Sequence, residues 1–114
     1  MNQATGNHRQ QLSLYRKQQV AAATPAELLL FLYDIAVASC AAQDKERAVS
    51  CFSEMIDSLN FEQNEIASGL FRLHEYCLEQ VQSGNFAEAH RIVKELRDAW
   101  RAALREQSAR TAAA

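Results

Sequence analysis

The first long helix is predicted to begin within the segment Ala23-Thr24-Pro25-Ala26-Glu27-Leu28-Leu29-Leu30-Phe31-Leu32-Tyr33-Asp34. The Thr24 hydroxyl can accept a hydrogen bond from the backbone N–H of Glu27, and the Glu27 carboxylate can accept one from the Thr24 backbone. This reciprocal pair is a capping box. Pro25 falls at the first helical position, where its missing N–H costs nothing. Together these signals predict that a helix begins at Pro25.

The composition favours helix over the whole chain. Its 114 residues are 48% hydrophobic and include one proline and three glycines, and a chain of this length fits a single domain. No segment shows the alternation of β-branched residues that is typical of a strand. We therefore predict an all-α fold. The expected architecture is an antiparallel up-down four-helix bundle, preceded by a short N-terminal capping segment that is helical or extended.

Hydrophobic periodicity gives the bounds of the predicted elements. The four helices span about residues 25–42, 45–59, 62–82 and 86–106. They belong to one domain of residues 10–107, in which residues 10–23 form the capping segment. Residues 1–9 are expected to be a disordered N-terminus and residues 108–114 a frayed tail. Trp100 lies on the apolar stripe of the fourth helix and is predicted to be a core anchor. The predicted stripe of the third helix consists of Ile66, Leu70, Leu73, Cys77 and Val81.

The charge is unevenly distributed, although the net charge is only −2. Residues 1–26 contain three bases and no acid, whereas residues 27–88 contain eleven acids and three bases. An acidic body of this kind argues against nucleic acid as a partner, since phosphates require a basic face. The longest apolar run is too short to cross a bilayer, and the polar N-terminus does not resemble a signal peptide. We therefore expect a cytoplasmic protein that does not insert into a membrane.

The residue types needed for catalysis or metal binding do not occur in suitable patterns. Cys40, Cys51 and Cys77 are an odd number without a C-x-x-C spacing, and are predicted to be buried thiols in a reducing compartment. His74 and Cys77 are one helical turn apart, but two further metal ligands are lacking. No glycine-rich phosphate loop is present. We expect neither enzymatic activity nor a metal or other cofactor.

The first predicted helix is apolar on nearly every side, which requires that most of its surface be covered. One interpretation is that the helix is central and wholly buried within the bundle. The other is that the bundle leaves a groove that receives an amphipathic helix from a partner, with Tyr15 and Val20 acting as an intramolecular lid. The candidate groove residues are Leu28, Phe31, Leu32 and Ile35 on the first helix, and Phe71 and Tyr76 on the third.

Several motifs, in the same order along the chain, resemble those of the FliS family of flagellin export chaperones. The resemblance runs from Tyr15, ten residues before the first helix, to Trp100. It departs from the usual family pattern at His74, where a tyrosine is common, and at Ile35, where a glycine is common. The motifs that carry the resemblance are the A-T-P-x-E-L start with the L-Y-D that follows it, Leu59-Asn60-Phe61-Glu62, Glu65-Ile66-Ala67, the spacing of Leu70, Leu73 and Tyr76, and Leu96-Arg97-Asp98-Ala99-Trp100.

This resemblance implies a cytoplasmic chaperone that binds the disordered C-terminal region of flagellin and prevents premature polymerisation. The implied partners are the C-terminal helical segment of flagellin and the type III flagellar export apparatus, with no nucleic acid. The chaperone would be a monomer or a weak homodimer. Two other functions stay open from the residues alone. One is a histidine-phosphotransfer-like signalling bundle that uses His74 or His90, and the other is a structural helical dimerisation module.

Overall fold

The computed structural model describes residues 22–59 and 65–113. The described residues form four helices and no strand: α1 (Pro25–Ala41), α2 (Lys45–Leu59), α3 (Glu65–Gln82) and α4 (Phe86–Ala113). Each helix packs against its neighbours in sequence, and α1 also packs against α4. Because this closes a ring of four helices, the predicted all-α bundle is confirmed.

The start of α1 has the predicted capping box. The Glu27 N–H donates to Thr24 Oγ1 over 3.2 Å, and the Thr24 N–H donates to Glu27 Oε1 over 3.1 Å. These hydrogen bonds stabilise the charged carboxylate and lower the pKa of Glu27 from its usual value. At the other end of α1, Gln43 adopts a left-handed conformation with a φ of 55°. Asp44 then begins the next helix by accepting a hydrogen bond from the Arg47 N–H over 3.2 Å.

The core lies along the axis of the bundle and receives side chains from all four helices. On α1, one stripe at helical spacing is buried and consists of Leu29, Tyr33, Ala36 and Cys40. The other helices contribute Ala48, Cys51, Phe52, Met55, Ala67, His74, Cys77, Val81, Ala89 and Val93. The ring of helices therefore buries only one face of α1, although the helix is apolar on several.

The three cysteines are free and buried, as predicted. Burial disfavours the thiolate, and it raises the pKa of Cys40 to about 11 and the pKa values of Cys51 and Cys77 to about 12. Cys51 Sγ also donates a hydrogen bond to the carbonyl of Leu32 over 2.9 Å, which joins α2 to α1. Thiols of this kind contribute to packing and are poor nucleophiles.

The buried face of α3 differs from the predicted stripe. Ile66 is 73% exposed and Leu73 is 39% exposed, whereas His74 is completely buried. The reason is a hydrogen bond across the bundle axis, in which Tyr33 Oη lies 2.8 Å from His74 Nε2. A buried tyrosine hydroxyl needs a partner, and α3 is rotated so that His74 provides one. The rotation turns Leu73 towards solvent.

The end of α4 also differs from the prediction. The helix continues past Glu106 to Ala113, so most of the segment that was predicted to fray is helical. This segment lacks proline and glycine and is rich in good helix formers. Arg110 forms an ion pair with Glu106 over 2.7 Å, four residues earlier on the helix. The predicted capping segment, up to residue 21, and the first residues of the predicted third helix, 62–64, lie outside the described residues.

Thr24→Ala should lower the free energy of unfolding by about 1 kcal/mol, because the variant loses the hydroxyl that accepts from the Glu27 N–H. Thr24→Ser keeps the acceptor and is the matched control. Urea unfolding followed by circular dichroism measures both. Equal stability of Thr24→Ala and the original chain would contradict the energetic role of the cap.

Burial lowers the pKa of His74 to about 4 from 6.5, since the charged imidazolium would lose its hydration. As the pH falls, His74 is therefore protonated in the unfolded chain before it is protonated in the folded one. The free energy of unfolding decreases as the pH drops from about 6.5 towards 4, and the full decrease is about 3 kcal/mol.

The double variant Tyr33→Phe/His74→Leu removes the buried polar pair and should flatten this part of the pH profile. Urea unfolding at a series of pH values decides the matter, and a double variant with the original slope would refute the assignment to His74.

Candidate functional site

An apolar groove of about 570 Å³ lies beside the first half of α1, and we call it the α1 groove. All four helices contribute to it. One wall is α1 itself, and the remaining sides come from the end of α2, the start of α3 and one residue of α4. Its lining residues are Pro25, Ala26, Leu28, Leu29, Phe31, Leu32 and Ile35 of α1, Glu54 and Ser58 of α2, Ile66, Ala67 and Leu70 of α3, and Trp100 of α4.

The α1 wall includes all four of the α1 residues predicted for it from the sequence. Leu28, Phe31, Leu32 and Ile35 recur at i, i+3, i+4 and i+7, which places them on one face of the helix. All four are partly exposed, because the stripe that enters the core is the neighbouring one. The structure therefore brings these four side chains together in a single groove that is open to solvent.

The two residues predicted for the α3 side lie elsewhere. Phe71 is partly buried on α3 and does not line the groove. Tyr76 is 39% exposed, and its hydroxyl donates to Glu88 Oε2 over 3.1 Å. This hydrogen bond joins α3 to α4, because Glu88 lies in the first turn of α4. Glu88 is also paired with Arg91 over 2.7 Å. Because α3 is rotated by the burial of His74, Ile66 and Leu70 face the groove instead.

The two residues predicted to form a lid, Tyr15 and Val20, lie outside the described residues. The described chain begins at Ala22, just before Pro25, which lines the α1 groove. The role of Tyr15 and Val20 as a lid stays a prediction.

The polar groups of the groove are few. The Ser58 hydroxyl donates to the carbonyl of Met55 over 2.9 Å, so its hydrogen bond is satisfied within α2. Glu54 is exposed at the edge of the groove, and it forms no ion pair with any residue in the described ranges. The groove thus offers a largely apolar surface with one carboxylate beside it. That chemistry matches an apolar helix face flanked by a base.

Trp100 packs against the core, as predicted, but it is only partly buried because it also lines the groove. Its indole N–H donates to the carbonyl of Ala26 over 2.8 Å, and its ring meets the Tyr33 ring edge to face with centroids 6.5 Å apart. The side chain therefore fixes the first turn of α1 against α4. Sequence periodicity placed Trp100 on the inner stripe of α4, but it could not show that this end of the bundle is open.

Charged residues next to Trp100 join the same two helices. Arg101 lies 2.9 Å from Asp34 Oδ1, and Arg97 lies 3.9 Å from the same oxygen. All three side chains are partly exposed, so each ion pair contributes less than about 1 kcal/mol. The L-Y-D motif of α1 and the R-D-A-W motif of α4 are therefore neighbours in the fold, and their contacts position α1.

Other site chemistries find little support in the described part of the chain. His74 is fully buried, so it cannot reach a phosphorylated receiver domain. Within residues 22–59 and 65–113, no group of three or more histidine, cysteine or acidic side chains could hold a metal ion. No helix in the same ranges is long and apolar enough to cross a membrane.

Comparison with known proteins identifies a family to which the chain is similar. A family model described as "Flagellar protein FliS" matches residues 41–107, which is more than half of the chain. The matched region contains α2, α3 and most of α4, including the segment from Leu96 to Trp100. No curated protein and no solved structure matches the chain. The α1 wall of the groove precedes the matched region, so its description depends on the geometry above.

Trp100→Phe should lower the free energy of unfolding by about 1 kcal/mol, because the ring contact with Tyr33 remains while the hydrogen bond to Ala26 is lost. Trp100→Ala should cost more, since it also removes the ring. Urea unfolding of both variants provides the measurement. If Trp100→Phe is as stable as the original chain, the indole N–H does not hold the first turn of α1.

Proposed function

The chain belongs to the FliS family of flagellar export chaperones, and from this premise we propose that it binds the C-terminal region of flagellin in the cytoplasm. The bound segment forms an amphipathic helix in the α1 groove, and its capture prevents premature polymerisation. The complex then delivers flagellin to the type III export apparatus. The observation that carries this proposal is the open apolar face of α1, which the bundle itself does not cover.

The dimensions of the groove support a helical ligand. Leu28 and Ile35 are seven residues apart and are separated by about 10 Å along α1, which corresponds to two turns of a ligand helix. Anchors at i, i+3 or i+4, and i+7 of such a helix can enter the groove together. Complete burial of an exposed leucine- or isoleucine-sized side chain contributes about 1.5–3 kcal/mol, so the partly exposed wall can supply substantial binding energy.

The disorder of a free export substrate fits this mode of binding. A segment that is unfolded before binding must be ordered on the chaperone, and part of the contact energy is spent on that ordering. Short helices are marginal in water. Formation of the complex should therefore increase the helical content of the ligand.

The N-terminal arm, which is the capping segment of residues 10–23, is proposed to cover the groove when no ligand is bound. It contains Tyr15 and Val20, together with Arg16 and Lys17 and no acid. The bases match Glu54 at the edge of the groove and the acidic composition of residues 27–88. With few large apolar anchors, the arm gains little on docking, so a ligand can displace it. A covered groove also favours a monomer or a weak homodimer.

The direct experiment is a calorimetric titration of the purified protein with a peptide of the last ~40 residues of flagellin from the same organism, a length chosen from the standard interface size. We expect binding at micromolar or lower concentrations, accompanied by a gain in helical circular dichroism. Deletion of residues 1–21 should tighten binding. No binding at tens of micromolar would contradict the proposed function.

Leu28→Asp should weaken this binding at least tenfold, because it places a charged carboxylate on the apolar wall of the groove; tenfold corresponds to about 1.4 kcal/mol. Leu73→Asp is the matched control, since Leu73 is exposed and does not line the groove. Equal effects of the two substitutions would show that the ligand does not occupy the α1 groove.

A further inference from the structure

A second groove, of about 1120 Å³, lies between the start of α1 and the end of α4. We call it the overhang groove. It shares only Pro25 and Ala26 with the α1 groove, so the two grooves lie on opposite sides of the first turn of α1. Its lining residues are Thr24, Pro25, Ala26, Glu27 and Leu30 of the α1 region, and Arg101, Leu104, Arg105, Gln107, Ser108, Thr111 and Ala112 of α4.

This groove exists because α4 is much longer than its neighbour. Trp100 donates a hydrogen bond to the carbonyl of Ala26 in the first turn of α1, and Arg101 pairs with Asp34 further along that helix. The part of α4 that follows these contacts continues to Ala113, past the start of α1. Apart from Arg101 and Leu104, which are partly buried, the α4 residues that line the groove are exposed. A helix end with so little packing is only marginally stable in water, and a ligand that packs against it would stabilise it.

The residues of α4 that line the groove form one face of the helix. Arg101, Leu104, Arg105 and Ser108 recur at i, i+3, i+4 and i+7. Leu104 on this face and Leu30 on α1 supply the large apolar side chains. The face is therefore amphipathic, with an apolar centre next to two guanidinium groups.

The charge of the overhang groove is positive. Arg105 forms no ion pair with any residue of the described chain, whereas Arg101 is partly neutralised by Asp34. Glu27 is the only acid among the lining residues, and its carboxylate already accepts hydrogen bonds from Thr24. The N-terminus of α1, with its partial positive charge, faces the same space. This is the opposite of the α1 groove, where the charged group is Glu54.

We propose that the overhang groove binds an acidic amphipathic helix of a partner protein. An apolar anchor of that helix contacts Leu30 and Leu104, and a carboxylate beside it pairs with Arg105. Residues 1–21 of this chain do not have that chemistry, because they contain three bases and no acid. The proposal is independent of flagellin binding, which is assigned to the α1 groove.

The test uses two synthetic peptides of about 18 residues, long enough to form a helix on binding. Both have leucines at i, i+3, i+4 and i+7, flanked by glutamates in one peptide and by lysines in its twin. Calorimetric titration of the full chain should detect binding of the glutamate peptide that weakens with added salt. The lysine peptide matches the α1 groove, so Arg105→Glu should not weaken its binding. The same substitution should weaken binding of the glutamate peptide by about fivefold or more. Lys94→Glu, an equal charge change at an exposed position of the same helix, should leave it unchanged.

Several results would overturn the proposal. Failure of the glutamate peptide to bind, or equal losses in Arg105→Glu and Lys94→Glu, would show that the groove does not select an acidic helix. A loss of glutamate-peptide binding in Leu28→Asp but not in Arg105→Glu would place the peptide in the α1 groove. Tighter binding after deletion of residues 1–21 would identify that segment as the occupant. An increase in mass with concentration that Arg105→Glu abolishes would identify a second copy. Flagellin binding is titrated separately for each variant, so that failure of this proposal is distinguished from failure of flagellin binding.

Discussion

The hydrogen bond between Tyr33 and His74 is the contact on which the rest of the molecule depends. It crosses the bundle axis and joins α1 to α3, two helices that are not neighbours in the ring. A buried hydroxyl without a partner would cost a few kcal/mol, so this pair fixes the rotation of both helices about their axes. With Tyr33 inside, the stripe from Leu29 to Cys40 enters the core, and the adjacent apolar stripe of α1 stays at the surface.

Local signals in the sequence predict the architecture and the α1 residues that line the candidate groove. Thr24, Glu27 and Pro25 predicted the start of α1 because a capping box depends only on neighbouring residues. The α1 wall was predicted because its four apolar residues recur at helical spacing in a helix with more apolar surface than a bundle can cover. The α3 side was not predictable in this way. Its apolar pattern fits two rotations of the helix, and the choice between them depends on His74, whose partner is 41 residues away.

The end of α4 and the place of Trp100 show a second limit of reasoning from sequence. The residues after Glu106 are small and polar, a composition that occurs in frayed tails as well as in exposed helices. Only the ion pair of Glu106 with Arg110 and the continuity with α4 separate the two possibilities. Trp100 lies on the stripe of α4 that faces the core, but at Trp100 this stripe borders the open α1 groove. Both features follow from the relative lengths of α1 and α4.

The first turn of α1 lies between the two proposed binding grooves. It is held by the capping box and by the indole of Trp100, and its residues Pro25 and Ala26 line both grooves. One groove is apolar with a carboxylate at its edge, and the other is apolar with arginines. Because their charges are opposite, each groove disfavours the ligand of the other. A single rigid turn thus separates two surfaces of different specificity.

The central claim is that the uncovered face of α1 receives the ligand. The most direct test is to record ¹⁵N-resolved NMR spectra of the labelled protein while an unlabelled C-terminal flagellin peptide is added. The account predicts that the largest shift changes occur at Leu28, Phe31, Leu32, Ile35 and Leu70, with little change around Tyr76. Changes confined to the outer faces of α3 and α4, with α1 unaffected, would contradict it.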